Sequence, residues 1–241
     1  MLLELWNFFP DRVVPVGDRF LCWVKYSSGI LLCDMAADPN LVLRHLPLPV
    51  TPWPCGGPHH IRGYSDDEYE DDQMRCSRNM CGAGAAALRF VSVDPRCCCG
   101  GPGRSTCPRS TFAFTVTTWT MSLTTAAEGE RMAWAVDGVL DCEELWALPG
   151  YEGLPRVPPE CPVVSPDNPD IVCFRLSEEM VWMLEVDTRR KVLLSVVQCR
   201  PKDPYDHLAA FLVECFTTRL SRVPDHLRRF RLTHETTSHN A

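Results

Sequence analysis

Apolar positions in this chain recur in short runs bounded by turn residues, the pattern of β-strands rather than of long helices. Arg19 to Val24 and Gly29 to Met35 are two such runs, and Ser27, Ser28 and Gly29 between them predict a hairpin. A third run, Val42 to Leu48, follows the turn residues Asp38, Pro39 and Asn40 and extends the hairpin to a three-stranded meander. The pattern returns near the other end of the chain. There, Ile171 to Leu176, Met180 to Asp187 and Lys191 to Val197 are separated by Ser177-Glu178-Glu179 and Thr188-Arg189-Arg190. Spacing repeats with composition: Cys22 precedes Asp34 by twelve residues, as Cys173 precedes Glu185.

Between these units lies a more degenerate one, with strands at Ala87 to Val93, Phe112 to Met121 and Met132 to Leu140. Residues 94–110, rich in Gly, Pro and Cys and without periodicity, read as an inserted loop, and residues 51–80 as a second insertion. The proline-rich stretch from Asp141 to Pro169 reads as a connecting arm with one helical turn near Glu143 to Leu148. Leu208, Phe211, Leu212, Cys215, Phe216 and Leu220 share one helical face after Asp203-Pro204, which predicts an amphipathic helical segment over 203–232. Residues 233–241 read as a disordered tail. The expected fold is therefore mainly β: repeated three- to four-stranded antiparallel meanders over 11–200, partly propeller-like, with a C-terminal amphipathic helix.

Composition changes this picture little. The chain has 241 residues, 45% of them hydrophobic, enough for a sizeable core, and its 21 prolines and 14 glycines suit many short elements. Its formal net charge of -7 is concentrated in one run, where Asp66, Asp67, Glu68, Glu70, Asp71 and Asp72 supply six of the charges. Such a run reads as a solvated loop, and Ser65 before it as a phosphorylation candidate. No apolar segment reaches bilayer-spanning length, and the apolar start, interrupted by Glu4, lacks the features of a signal peptide. A cytoplasmic or nuclear location without membrane attachment is expected. Fourteen cysteines, including Cys22, Cys33, Cys173 and Cys199 in strand runs, then read as thiols with a packing role.

Each candidate for chemistry meets a plainer explanation. Cys76 and Cys81, with Cys97-Cys98-Cys99 and Cys107, could clasp zinc, but three adjacent thiolates crowd one ion and no second short pair exists. His234-Glu235 and His239 have histidines five apart, whereas two ligands on one helical face need four. His59-His60 reads as loop. Arg219, Arg222, Arg228, Arg229 and Arg231 could meet phosphates, yet arginines ending a helix complement its dipole and stay solvated, so nucleic acid is not the expected partner. Phosphate-binding glycine loops, nucleophile elbows and dinucleotide fingerprints are missing from the sequence. No catalytic, cofactor-binding or metal-binding residues are assigned.

Several phrases carry a family resemblance. Gly17-Asp18-Arg19-Phe20-Leu21-Cys22-Trp23-Val24, Gly29-Ile30-Leu31-Leu32-Cys33-Asp34 and Leu46-Pro47-Leu48-Pro49 are three of them. Trp146-Ala147-Leu148-Pro149-Gly150-Tyr151 and Trp182-Met183-Leu184-Glu185-Val186-Asp187-Thr188 are the others. Together they resemble an expanded family of grass proteins, domain of unknown function 1618. That resemblance implies a distant likeness to the β-propeller segments following F-box motifs in plant ubiquitin-ligase adaptors, and carries no catalytic motif. The expectation is a non-catalytic module whose partner is another protein. The alternatives are a metal- or thiol-dependent activity centred on the cysteine-rich loop, and a shortened family member with little function.

Overall fold

The computed structural model describes residues 9–37, 43–50, 74–96, 113–123, 132–165, 168 and 170–201. These form three four-stranded antiparallel sheets, each with its strands in sequence order. Sheet 1 comprises β1 (Arg12–Val16), β2 (Phe20–Lys25), β3 (Gly29–Asp34) and β4 (Leu43–Leu46). Sheet 2 comprises β5 (Arg78–Ala83), β6 (Ala87–Pro95), β7 (Phe114–Ser122) and β8 (Trp134–Asp141). Sheet 3 comprises β9 (Glu160–Val164), β10 (Ile171–Ser177), β11 (Met180–Asp187) and β12 (Val192–Pro201). The amphipathic segment at 203–232, the tail at 233–241, the acidic run and the cysteines at 97–99 and 107 lie outside the described residues.

Nine strands correspond to the sequence-predicted runs, and the other three share one position. They are β1, β5 and β9, the first strand of every sheet. The hydrophobic pattern hides them for a structural reason. Pro15 interrupts β1, Gly82 interrupts β5, and Pro162 in β9 follows Cys161, which adopts a left-handed φ of 50°. Proline and glycine are depleted in ordinary strands and tolerated at edges, bulges and close backbone approaches. All three strands are sheet edges.

At β1 and β5 the reason is close approach between sheets. A Cβ on Gly82 would lie 2.3 Å from the carbonyl oxygen of Pro15, and one on Gly17 would lie 2.5 Å from that of Ala85. Gly17 also has a φ of 54°, so it meets both a steric and a conformational demand. The later residues of β1 thus face the later residues of β5, and the two strands run side by side in the same direction. Strand β9 in turn packs on β5 and β6.

Two cores fill the space between the sheets. Val14, Val16, Phe20, Cys22, Val24, Ile30 and Leu32 of sheet 1 meet Met80, Leu88, Phe90, Trp119 and Met121 of sheet 2. On the other side of sheet 2, Val91, Val93, Phe114, Val116 and Leu140 meet Val164, Val172, Phe174, Leu176, Leu184 and Val186 of sheet 3. Strand alternation explains the division, since neighbouring residues such as Phe90 and Val91 face opposite sides. Phe90 stacks in tilted geometry on Trp119, with centroids 5.4 Å apart. The middle sheet is therefore apolar on both faces.

The twelve-residue repeat proves not to be a positional equivalence. Cys22 pairs with Leu32 and faces the first core, whereas Cys173 pairs with Glu185 and stands on the face opposite the second core. A one-residue offset exchanges the faces of a strand, so equal spacing in sequence joins residues with opposite orientations.

Gly82→Ala tests the close approach. The added methyl meets backbone rather than a movable side chain, and the expected cost is about 2–3 kcal/mol, read as a lower urea midpoint with an unchanged m value. A loss below about 0.5 kcal/mol, the range of ordinary surface substitutions, would show that β1 and β5 need no such contact.

Candidate functional site

One group of polar side chains ties the start of sheet 1 to the start of sheet 2. Asp11, just before β1, accepts the Tyr26 N–H at 2.7 Å through one carboxylate oxygen. Its other oxygen accepts from Arg75 Nε at 2.8 Å. This nearly buried carboxylate fixes the end of the β2–β3 hairpin to the helical turn at residues 74–77 that leads into β5. Arg78, only 2% exposed, donates from Nη1 to the Tyr26 carbonyl at 2.6 Å. Burial disfavours its charge and Asp94 offsets part of that effect. Burial likewise raises the Tyr26 phenol, with Arg12 opposing.

Between sheets 2 and 3 a second polar group forms around β9. Arg175 on β10 is buried, donates from Nε to Ser177 Oγ at 2.7 Å and lies 3.9 Å from Glu160. The Cys161 thiol, beside Glu160, is pushed up by its interaction with Cys76 first and by burial second. Cys76 and Cys81 were sequence candidates for a metal. Here they have different roles: Cys76 lies in the helical turn at 74–77, while Cys81 belongs to the core between sheets 2 and 3, where burial pushes its thiol up to about 11. Cys22 is a core thiol raised by burial to about 12. Among the described residues no three His, Cys, Asp or Glu side chains group together as metal ligands. The other candidates, His59-His60, Cys97 to Cys99, Cys107, the arginines from 219 to 231, His234, Glu235 and His239, fall outside the described residues.

The helix Cys142–Trp146 follows directly from β8 and begins with a complete capping box. Asp141 accepts from the Glu143 N–H at 3.0 Å, and Glu144 accepts from the Asp141 N–H at 3.1 Å. Arg96 forms a 2.6 Å ion pair with Asp141, while Lys191 at the β11–β12 turn pairs with Glu144. Leu145, Leu148 and Tyr151 then enter the second core, so the proline-rich arm is a structural strap across sheets 2 and 3.

A different kind of surface lies at the far edge of sheet 3. Strand β12 runs ten residues, and its segment from Val192 to Cys199 bears no charge. Leu194 and Val197 are 49% and 53% exposed, with Val192 and Val196 beside them. Among the described residues no strand pairs with its outer side. Val136 and Val139 similarly stand exposed on the edge strand β8 of sheet 2.

The family model described as Protein of unknown function (DUF1618) matches residues 23–173, from β2 to β10. The chain belongs to the DUF1618 family. No curated protein and no solved structure matches it. The DUF1618 match contains all of sheet 2, Cys76, Cys161 and the helix cap, but stops before the exposed β12 edge. Among its described residues, this DUF1618 chain has no helix long and apolar enough to cross a membrane.

The cap generates a pH-dependent expectation. Burial pushes the Asp141 carboxyl up, but the Arg96 hydrogen bond, the Glu143 N–H and the Arg96 charge together outweigh it, leaving the group below its ordinary value of 3.8. A carboxylate depressed in the folded state stabilises fully above the unfolded pKa and loses that contribution as pH falls through the folded one. Asp141→Asn should therefore lower Tm at pH 7, with the gap to wild type narrowing below about pH 4. Thermal melts from pH 7 to 2 measure it; a gap that stays constant through the acid range would exclude the charged cap.

Proposed function

We propose that this chain is a non-catalytic protein-interaction module of the plant cell, similar in use to the propeller segments that follow F-box motifs. The observation that carries the reading is the uncharged β12 edge with Leu194 and Val197 exposed. An edge strand presents unpaired backbone donors and acceptors, and soluble proteins ordinarily blunt such edges with charge, proline or a bulge. In β12, Arg200 and Pro201 come only at its end, and the strand's pairing with β11 shifts register at Leu194 and again near that end, so bulges rather than charge interrupt it. A partner strand added along this edge would gain backbone hydrogen bonds for affinity and side-chain contacts for specificity.

The stacked meanders support the same reading. Side-by-side first strands with successive sheets packed face to face are the relation between neighbouring propeller blades. Such a scaffold holds edges and loops rigidly enough for recognition. Three sheets are fewer than the four or so blades of a typical ring, and the proposal assigns the partner to the open side.

The test is an affinity pull-down from leaf extract with the tagged chain and with a Leu194→Lys, Val197→Lys variant, followed by mass spectrometry and metal analysis. The expected result is one stoichiometric partner on the wild type, reduced at least about tenfold on the variant, since buried lysine at an edge contact costs more than 1.4 kcal/mol. Equal retention by both, or no partner together with about one zinc per chain, would reject the reading.

A further inference from the structure

The exposed β12 edge fixes more about its occupant than that it is a strand. Between the two register shifts, Ser195 to Gln198 pair regularly with Glu185, Leu184, Met183 and Trp182 of β11. Leu184 belongs to the second core, so Val196, directly opposite it, stands on the core-facing side of sheet 3. Val197, opposite Met183, stands on the other side. Both are at least 36% exposed. Neighbouring positions of β12 therefore offer apolar surface on opposite faces, and a strand laid beside them meets valine on either face. Strands covered on both faces read as continuous apolar runs, whereas strands with one wet face alternate. The exposed positions extend from Val192 to Val197, and the bulge at Leu194 takes one of them out of the register, so the matching run is about five residues long.

Charge gives this run a direction. The β11–β12 turn, which leads into Val192, carries Arg189, Arg190 and Lys191 in succession. Arg189 lies 3.7 Å from Asp170, Arg190 lies 3.8 Å from Asp187, and Lys191 pairs with Glu144. The two arginine pairs are lopsided: the arginine side chains are 71% and 82% exposed, their carboxylate partners 21% and 7%. Negative charge thus sits toward the sheet and positive charge toward solvent. At the other end of β12, Pro201 pairs with Met180, next to the β10–β11 turn with its exposed Glu178 and Glu179. The edge is basic where it begins and has acidic neighbours where it ends. Sheet 3 is antiparallel throughout, and an added strand that continues this slightly more stable pattern lays its C-terminal end against residues 189–191. A second copy of the chain fits less well. Pairing β12 with its equivalent about a two-fold axis, over the uncharged segment, sets Arg200 of each copy opposite Lys191 of the other, and like charges directly opposite each other destabilise a sheet.

We propose that the β12 edge takes an extended segment of another protein in which an apolar run of about five residues is followed, on its C-terminal side, by acidic residues. The segment adds to sheet 3 as an antiparallel fifth strand, with its apolar side chains against Val192, Leu194, Val196 and Val197 and its carboxylates at Arg189 and Arg190. This inference rests on the interaction reading of β12 given above, and adds to it the chemistry and direction of the partner.

The experiment pans a phage-displayed library of random dodecapeptides on the full chain, with the Leu194→Lys, Val197→Lys variant as the parallel surface, and measures recovered peptides as synthetic fluorescein conjugates by anisotropy. The expected peptides bind the wild type at least about tenfold more tightly than the variant and carry Asp or Glu after the apolar run. Arg189→Gln combined with Arg190→Gln should weaken them about fivefold. Raising NaCl from about 0.05 to about 0.5 M should produce a comparable loss in the wild type and little in the arginine variant. Edge-dependent peptides whose acidic residues precede the run, or that lack them, overturn the proposal while leaving the interaction reading of β12 intact. Peptides held equally by the wild type and the Leu194→Lys, Val197→Lys variant overturn both, and failure to enrich any peptide overturns the proposal. One comparison decides the direction on the wild type alone: each peptide synthesised in reversed order, acidic end first, should bind at least about tenfold more weakly, and equal binding of the two orders overturns the proposal.

Discussion

The close approach of β1 to β5 is the constraint on which the described architecture depends. Where the Pro15 carbonyl sits against Gly82 and the Ala85 carbonyl against Gly17, there is no room for a β-carbon. Face-to-face sheets ordinarily stand about 10 Å apart, separated by interdigitated side chains. Here their first strands touch through backbone, so the sheets converge along that line. The first core begins beside this contact with Val14, Val16 and Met80, and Phe90, opposite Met80, packs in turn on Trp119 and Trp134. The polar fasteners follow the same line, with Asp11, Tyr26, Arg75 and Arg78 binding sheet 1 to the start of sheet 2.

This constraint also explains what the sequence reveals and what it conceals. The strands β2, β3, β6, β7, β10 and β11 are interior to their sheets, need apolar β-formers, and carry them visibly. Strands β1, β5 and β9 trade that signature for Pro15, Gly82 and the Cys161-Pro162 bulge, because close approach and edge geometry matter more there than side-chain burial. The short helix after β8 was legible as one turn near Glu143 to Leu148, and the structure adds what starts it, the capping box of Asp141 and Glu144. The twelve-residue repeat was legible as spacing but misleading as structure, because register is set by turns and bulges that shift faces by single residues.

The candidate sites divide along similar lines. A reading of cysteine spacing directs attention to Cys76, Cys81 and the run beyond residue 96, where local density is high. The fold separates Cys76, in the turn before β5, from Cys81, in the second core, which no local spacing could indicate. The β12 edge was half legible: its apolar run predicted a strand, but whether that strand would be interior or terminal in its sheet depends on topology.

Sheet 2 is apolar on both faces, and this has a thermodynamic corollary. Sheet 1 buries its inner face against Met80, Leu88, Phe90, Trp119 and Met121, and sheet 3 against Val91, Val93, Phe114, Val116 and Leu140 with the strap residues Leu145, Leu148 and Tyr151. Along β6 and β7 these two sets alternate. Separating either outer sheet would expose a whole face of the middle one to water, at about 25 cal/mol for each Å² of apolar surface. The two cores therefore share one mechanical member, and loosening β6 or β7 withdraws support from both. The three meanders look like repeats in sequence, but they are coupled in the manner of a single cooperative unit, with sheet 2 as its keystone.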